Sequence, residues 1–512
     1  MGFNDLRKKN LSSSQGQAAG IPAEFEGPLS TFGEVSTSQL SPVAQGDFVY
    51  NNINNQIFND TSFAGGSVAV NDGMAELISG TDPSGSAVIQ LRRGLKYRPG
   101  QGSLMRATAL FGEPEPGNAQ FIGLGNSEGG YFVGYFGGFF GILHSSDGSR
   151  EIRKLTITAG AGTENVDIQL DGDTISISVV GGGDITQTAY QIALGDYSQV
   201  GNGGWLADAI GDSVYFLSAR SGPASGAYSL SSAGTAAGTF TQVKVGEAQT
   251  NDFVTSGSFN IDKLDGSGPS EMILDPQMGN VFQIGFQYLG FGNAKFSIEN
   301  PINGFMTPFH EIRNANSRTT PVLKNPNASV LATSSNIGGT TSSTLKTVSM
   351  AAFTEGIIKK LDPKFALSTS FVNVNQPTYR PLMILKANRV FNGQSSFGEF
   401  DLLQLAASNE VNNKTLTVGL FLDKEVTGDV DFKYVNEDNS VVSYAIVSPS
   451  TQTIVAPIGL PFYELVVGSA SSKTIDLAMM DFVFGPGTNL IIAIKTTANM
   501  AGQVSVNWFE QQ

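Results

Sequence analysis

The sequence predicts a mainly β protein, built of antiparallel β-sandwich domains of jelly-roll or lectin-like type with one small α+β insert. Three observations predict it. Short apolar runs alternate with polar residues at period two, as in "SAVIQLRRGLKY" and "NVFQIGFQYLGFG". Only 15% of residues are charged, while the chain carries 61 Gly and 21 Pro, a composition of short strands and tight turns. No fixed-period repeat is visible, which counts against a propeller or a β-helix.

Taken in order, residues 1–45 are rich in Ser, Gly, Gln and Pro with isolated Phe25, Leu29 and Phe32, and read as an extended arm, either draped over a neighbouring subunit through those residues or a disordered tail. Residues 46–154 alternate at period two between Gly, Pro, Asn and Asp turns, and together with 247–331 make a first, discontinuous β-sandwich. Residues 155–246 read as an inserted α+β module. It opens on two strands about an Asp171-Gly172 turn and continues into a helix with Ile185, Ala189, Ile192 and Ala193 at helical spacing. Asp184 is its expected N-cap and Gln187 the capping-box partner. Near the end of the first sandwich, Phe282, Ile284, Phe286 and Tyr288 give one strictly apolar strand face. The Ser/Thr/Gly stretch 332–347 reads as a linker, and 348–512 as a second β-sandwich.

The stretch "GGYFVGYFGGFFGILH" (129–144) holds six glycines and six aromatic residues. A two-residue turn at Gly137-Gly138 predicts a hairpin pairing Tyr131 with His144, Gly134 with Gly141 and Phe136 with Phe139. Tyr131, Val133, Tyr135, Phe140, Ile142 and His144 then share one apolar face. The other face carries Phe132 and Leu143 at one end, Phe136 and Phe139 at the other, and a Gly134/Gly141 notch between them. Packing against a facing layer or a subunit is the simpler expectation for this notch. A flat ligand such as a sugar ring is the alternative, with Phe132, Gly134, Phe136, Phe139 and Gly141 as candidate ligand or interface residues.

Several function classes are disfavoured. Thirty Lys and Arg against 45 Asp and Glu give a formal charge of -15, which repels nucleic acid and anionic lipid surfaces. The absence of cysteine removes disulfides, thiolate metal sites and cysteine nucleophiles together. The first twenty residues have no apolar segment of the secretory kind, and Leu6 departs from the myristoylation pattern. No uncharged apolar run reaches the ~20 residues of a spanning helix, so membrane insertion is not expected.

The two histidines, His144 and His310, belong to no zinc motif and each lies in an apolar β stretch, so structural roles are expected for both. Acidic turns such as "LDGDT" and "NIDKLDGSG" lack EF-hand spacing and read as hairpin and loop turns. The sequons at Asn10, Asn59, Asn327 and Asn413 are what an Asn- and Ser-rich chain contains by chance. No catalytic, cofactor or metal residues are expected.

Residues 91–112 ("LRRGLKYRPGQGSLMRATALFG"), 120–144 and 279–312 resemble virion structural proteins of tailed double-stranded DNA bacteriophages. The insert, with "TQTAYQIA" and "GGWLADAIGDSVYFLSA", is similar to small modules inserted in phage tail proteins such as sheath subunits. The resemblance spans roughly residues 90–312 and carries no site residues. It implies a non-enzymatic virion component: a tail, baseplate, fibre or capsid-decoration protein. Such a component would assemble as a homo-oligomer, expected to be a trimer, beside other virion proteins and with a possible host-attachment role. The alternatives are an adhesin for host surface glycans, or a polysaccharide depolymerase whose carboxylate pair forms only in space.

Overall fold

The computed structural model describes residues 39–357, 362–480, 482–496 and 499–511. The expected arm therefore falls mostly outside the described residues. Its last part does not: Leu40–Asp47 is a strand that pairs antiparallel with Ser349–Glu355.

The chain is mainly β, and its antiparallel sheets pack in pairs. In the first sandwich a six-stranded sheet faces a seven-stranded one. In strand order the seven-stranded sheet runs Thr250–Thr255, Phe139–Ser146, Gly129–Phe136, Asn118–Asn126, Ser329–Asn336, Ser86–Leu91 and Phe58–Phe63. The buried core between the two sheets holds Ile122, Val133, Ile142, Phe282, Ile284 and Phe296. Phe282, Ile284 and Phe286 point inward from the Asn280–Phe286 strand, while Tyr288 lies beyond its end and is partly buried.

Residues 332–347 are not a linker. Ser329–Asn336 is a central strand of the seven-stranded sheet, in register with Asn118–Asn126 on one side and Ser86–Leu91 on the other. Thr344–Thr347 pairs with Met74–Ile78, and Ser349–Glu355 lies between two strands of the facing sheet. The first sandwich thus extends past residue 331 to Glu355. The composition of this stretch misled because its inward positions Ser334 and Asn336 are polar and engage in buried hydrogen bonds. Ser334 Oγ lies 2.9 Å from Ser343 Oγ, and Asn336 Nδ2 donates to the carbonyls of Gly80 and Asp82.

The insert forms its own core around Leu155, Val166, Ile168, Ile192 and Phe216. Its first strand starts at Arg150, before the composition change at Leu155, and Thr163–Leu170 and Asp173–Val180 pair about Asp171-Gly172. The helix is Ile185–Ala193, and Asp184 caps it by accepting from the N–H groups of Thr186 and Gln187. The capping box does not form: the Asp184 N–H donates to the Gly181 carbonyl, and the Gln187 amide group donates to the Val180 carbonyl. Ile185 is exposed and Ala193 only partly buried. The buried positions are Thr188, Ala189, Tyr190 and Ile192.

Tyr190 points the other way, into an apolar cluster with Phe432, Val426 and Ile491 on the outer face of a second-sandwich sheet. Its hydroxyl accepts from the Val426 N–H, and burial raises its pKa to about 12. Beside it, buried Asp208 of the insert faces Lys386 and Arg389 of the second sandwich. Two six-stranded sheets of that sandwich enclose Leu402, Val418, Ile492, Val506 and Trp508, and the Trp508 indole donates to Glu510.

Candidate functional site

The aromatic hairpin forms in the register set by its glycine pair. Tyr131 faces His144, Gly134 faces Gly141, and Phe136 faces Phe139. Gly137 and Gly138 have φ of 57° and 92°, the two positive angles of a type I′ turn. The Tyr131 face is turned to the core: Tyr131, Val133 and Ile142 are completely buried, Phe140 near the tip is partly buried, and the Tyr131 ring stacks on His144 at 4.7 Å.

Both histidines are committed to backbone partners. His144 Nε2 lies 3.1 Å from the Val322 carbonyl, where a protonated nitrogen donates, and Nδ1 is 3.4 Å from the Arg318 guanidinium. His310 Nδ1 accepts from the Asn260 N–H. Burial is the main cause that holds both imidazoles below their ordinary pKa.

The opposite face of the same sheet is where the candidate residues meet. Strand alternation sets them in rows across the sheet. One row runs Thr333, Phe121, Gly134, Gly141, Thr255, and the next Leu331, Gly123, Phe132, Leu143, Phe253. Ala119, Phe121, Phe132, Leu143 and Leu331 form a buried cluster with Phe136 and Phe253 packed on it. Every member belongs to this one sheet face. Phe121 is central, with its ring 6.3 Å from those of Phe132 and Phe136 and 6.4 Å from that of Phe253.

Glycines let these rings lie down on the sheet. A β-carbon on Gly123 would sit 2.5 Å from Phe132 Cδ1, and one on Gly125 would sit 2.6 Å from Phe132 Cζ. The ring therefore spans two glycines of the neighbouring strand. The expected Gly134/Gly141 notch is not open. The Phe253 ring covers Gly141, its Cζ 2.7 Å from where a β-carbon would stand. Gly134 has φ of 152°, and a β-carbon there would meet the Gln120 carbonyl oxygen at 1.9 Å. In place of a notch the face carries an aromatic floor of closely packed rings, inclined to one another by 28° to 69°, in which Phe121 and Phe132 are only 5% and 8% exposed.

Of the candidate residues, Phe132 and Phe136 join the floor, and Gly134 and Gly141 underlie it. Phe139 is 66% exposed at the hairpin tip and lies outside the cluster. Phe121 and Phe253 are the aromatic members that the sequence did not single out, beside Ala119 and Leu331. Phe121 carried a signal in "AQFIGLGN", where Phe, Gly and Gly recur at every second position; Phe253 had none, because its strand pairs across more than a hundred residues.

The rest of the face is uncharged and mostly polar. Its outward positions include Asn251 and Thr255 on one side, and Thr333, Ser335, Gln90 and Thr61 on the other, with Val88 and Phe63 as apolar members on that second side. No outward position on any of the seven strands is Asp, Glu, Lys, Arg or His. Next to Phe63, at the sheet's edge, a shallow depression is lined by Asp82, Asp171, Asp173 and Gly201. Two of those carboxylates tie down loops distant in the chain: Asp171 accepts from the N–H groups of Asn202 and Gly226, and Asp173 from that of Gly201. Among the described residues no group of three or more His, Asp or Glu is arranged to hold a metal ion, and no helix is long and apolar enough to cross a membrane.

No protein-family model and no curated protein matches this chain. Solved structures similar to it include a laminarinase from Flavobacterium sp. UMI-01, at 6% identity and a TM-score of 0.27, covering 61% of this chain and 100% of that one. They also include the legume lectin-like domain from Entamoeba histolytica, at 10% identity and a TM-score of 0.23, covering 58% of this chain and 89% of that one. A third is the GlcNAcα1-4Gal releasing endo-β-galactosidase from Clostridium perfringens, at 10% identity and a TM-score of 0.28, covering 68% of this chain and 69% of that one.

Proposed function

We propose that this protein binds carbohydrate on the outer face of its seven-stranded sheet. One observation carries the reading: the Phe121, Phe132, Phe136 and Phe253 cluster draws its apolar members from a single sheet face, with Phe136 and Phe253 partly exposed beside buried Phe121 and Phe132. Apolar surface left exposed on a sheet face is where a ligand or partner docks. The chemistry beside it favours sugar. A pyranose has a C–H face that stacks on a flat aromatic ring and an edge of hydroxyls, and here rings laid on glycine border Thr333, Ser335, Gln90, Asn251 and Thr255.

Hydrolysis of the glycan needs two carboxyl groups flanking the bond, about 5–9.5 Å apart. The register puts no carboxylate on this floor, which favours retention of the ligand over its cleavage. The resemblance to tailed-phage virion proteins adds a proposal about location: a virion component, oligomeric through its sandwiches, that uses this face for host attachment. Antibody labelling of intact particles tests that part separately.

The test of the binding reading is a glycan array and calorimetric titration with the whole chain and the variants Phe136→Ala and Phe253→Ala. Both side chains are only partly buried, so the variants are expected to fold. Wild-type binding that falls about tenfold or more in each variant, at an unchanged unfolding temperature, supports the site. No retained glycan, or equal binding by both variants, overturns it.

A further inference from the structure

We infer that the ligand class of this floor is an uncharged polysaccharide, and that uronates and sulfated or sialylated glycans are rejected. The inference rests on the carbohydrate reading above and adds the charge of the sugar. Three independent features lead to it.

First, an anionic substituent laid on the floor would lose water and find no cation, because no outward position of the sheet is charged. Removing a carboxylate or sulfate from water without a partner costs far more than removing a hydroxyl that meets Thr333, Ser335 or Gln90.

Second, the cation at the rim is already engaged. The Arg220 guanidinium donates to the Ser84 carbonyl at 3.2 Å and to Ser86 Oγ at 2.9 Å, and lies 4.9 Å from the centre of the Phe63 ring. Turning it toward a ligand anion would break those contacts.

Third, the field around the floor is negative. Asp82, Asp171 and Asp173 line the depression next to Phe63, and the whole chain carries a formal charge of -15. A polyanion approaching this edge is repelled at long range, and a neutral chain is not.

The experiment titrates the whole chain with a panel of soluble neutral glucans and mannans, and with polygalacturonate and dextran sulfate of similar length, at low and high ionic strength. The expected result is binding of at least one neutral polymer with an affinity insensitive to salt, and polyanion binding weaker by about tenfold or more. Equal or tighter binding of either polyanion overturns the inference while leaving the carbohydrate reading intact. Failure of every polymer to bind overturns the reading itself. A second variant locates the selectivity. Thr333→Lys places a cation on the floor beside Phe121 and is expected to give salt-sensitive binding of polygalacturonate that the wild type lacks. If Thr333→Lys leaves polyanion binding unchanged, the floor is not what sets the charge preference.

Discussion

The ring of Phe132 lies across Gly123, its Cδ1 2.5 Å from the position a β-carbon on that glycine would take. The seating of this ring depends on the contact, since any side chain at residue 123 would push the ring off the sheet. Gly123→Val is expected to destabilise the fold by about 1–3 kcal/mol, the usual cost of overpacking. It is also expected to weaken glycan binding more than Phe139→Ala does, because Phe139 stands outside the cluster. Thermal unfolding and calorimetric titration of the two variants check both statements.

Gly134 is held at φ of 152° with the Gln120 carbonyl oxygen and the Phe111 ring closing over it. Gly134→Ala should therefore cost about 1–3 kcal/mol or more. At the tip, Gly137→Asn should change stability by less than about 1 kcal/mol, because Asn adopts the left-handed angle that the turn requires. A chemical denaturation midpoint for each variant tests the contrast, and equal losses would refute it.

Burial lowers the pKa of His144 in the folded state, with the Val322 carbonyl, Asp252 and Asp147 opposing the shift and Arg318 adding to it. A group whose folded pKa lies below its unfolded value contributes stability that is present at neutral pH and lost as pH falls. Below the ordinary value of 6.5 the unfolded chain takes up a proton that the folded imidazole resists. His310 acts in the same direction. The unfolding temperature is expected to drop between pH 7 and pH 5. In His144→Gln the slope should be shallower; an unchanged slope would assign the acid sensitivity elsewhere.

Asp208 is the counter-charge for two cations of the second sandwich. Arg389 donates to Asp208 Oδ1 at 2.7 Å, and the Lys386 ammonium sits 3.9 Å away, donates to the Ala209 carbonyl at 2.7 Å and stands over the Phe432 ring. Burial pushes Lys386 down to about 8, with Asp208 opposing that shift. Asp208→Asn leaves buried positive charge without its partner and should cost about 3–5 kcal/mol, whereas Lys386→Met, which removes one of the cations, should cost less. Limited proteolysis is the readout, with earlier cleavage of the insert in Asp208→Asn.

Much of this architecture was legible in the sequence wherever local chemistry dictated it. Two positive-φ glycines set the hairpin and with it the pairing of seven residues on each side. Asp184 announced the helix, and the Asp171-Gly172 turn its preceding strand pair. What could not be read were partners distant along the chain. Ser334 and Asn336 look like linker residues until Ser343 and the Gly80 and Asp82 carbonyls are brought to them. Phe253 becomes part of the floor only when its strand pairs with Phe139–Ser146. The notch was misread for the same reason, since the side chain that closes it comes from outside the hairpin.

The late position of the Ser329–Asn336 strand also bears on how the chain is made. Its neighbours on both sides, Ser86–Leu91 and Asn118–Asn126, leave the ribosome about two hundred residues earlier, and the insert is synthesised between. Until residue 336 emerges, those two strands expose unpaired edges rich in Val, Ile, Phe and Gly, while the insert, whose contacts are more local, can already fold. The nascent first sandwich is thus an open template for aggregation throughout synthesis of the insert, and refolding from denaturant should be slow and sensitive to concentration.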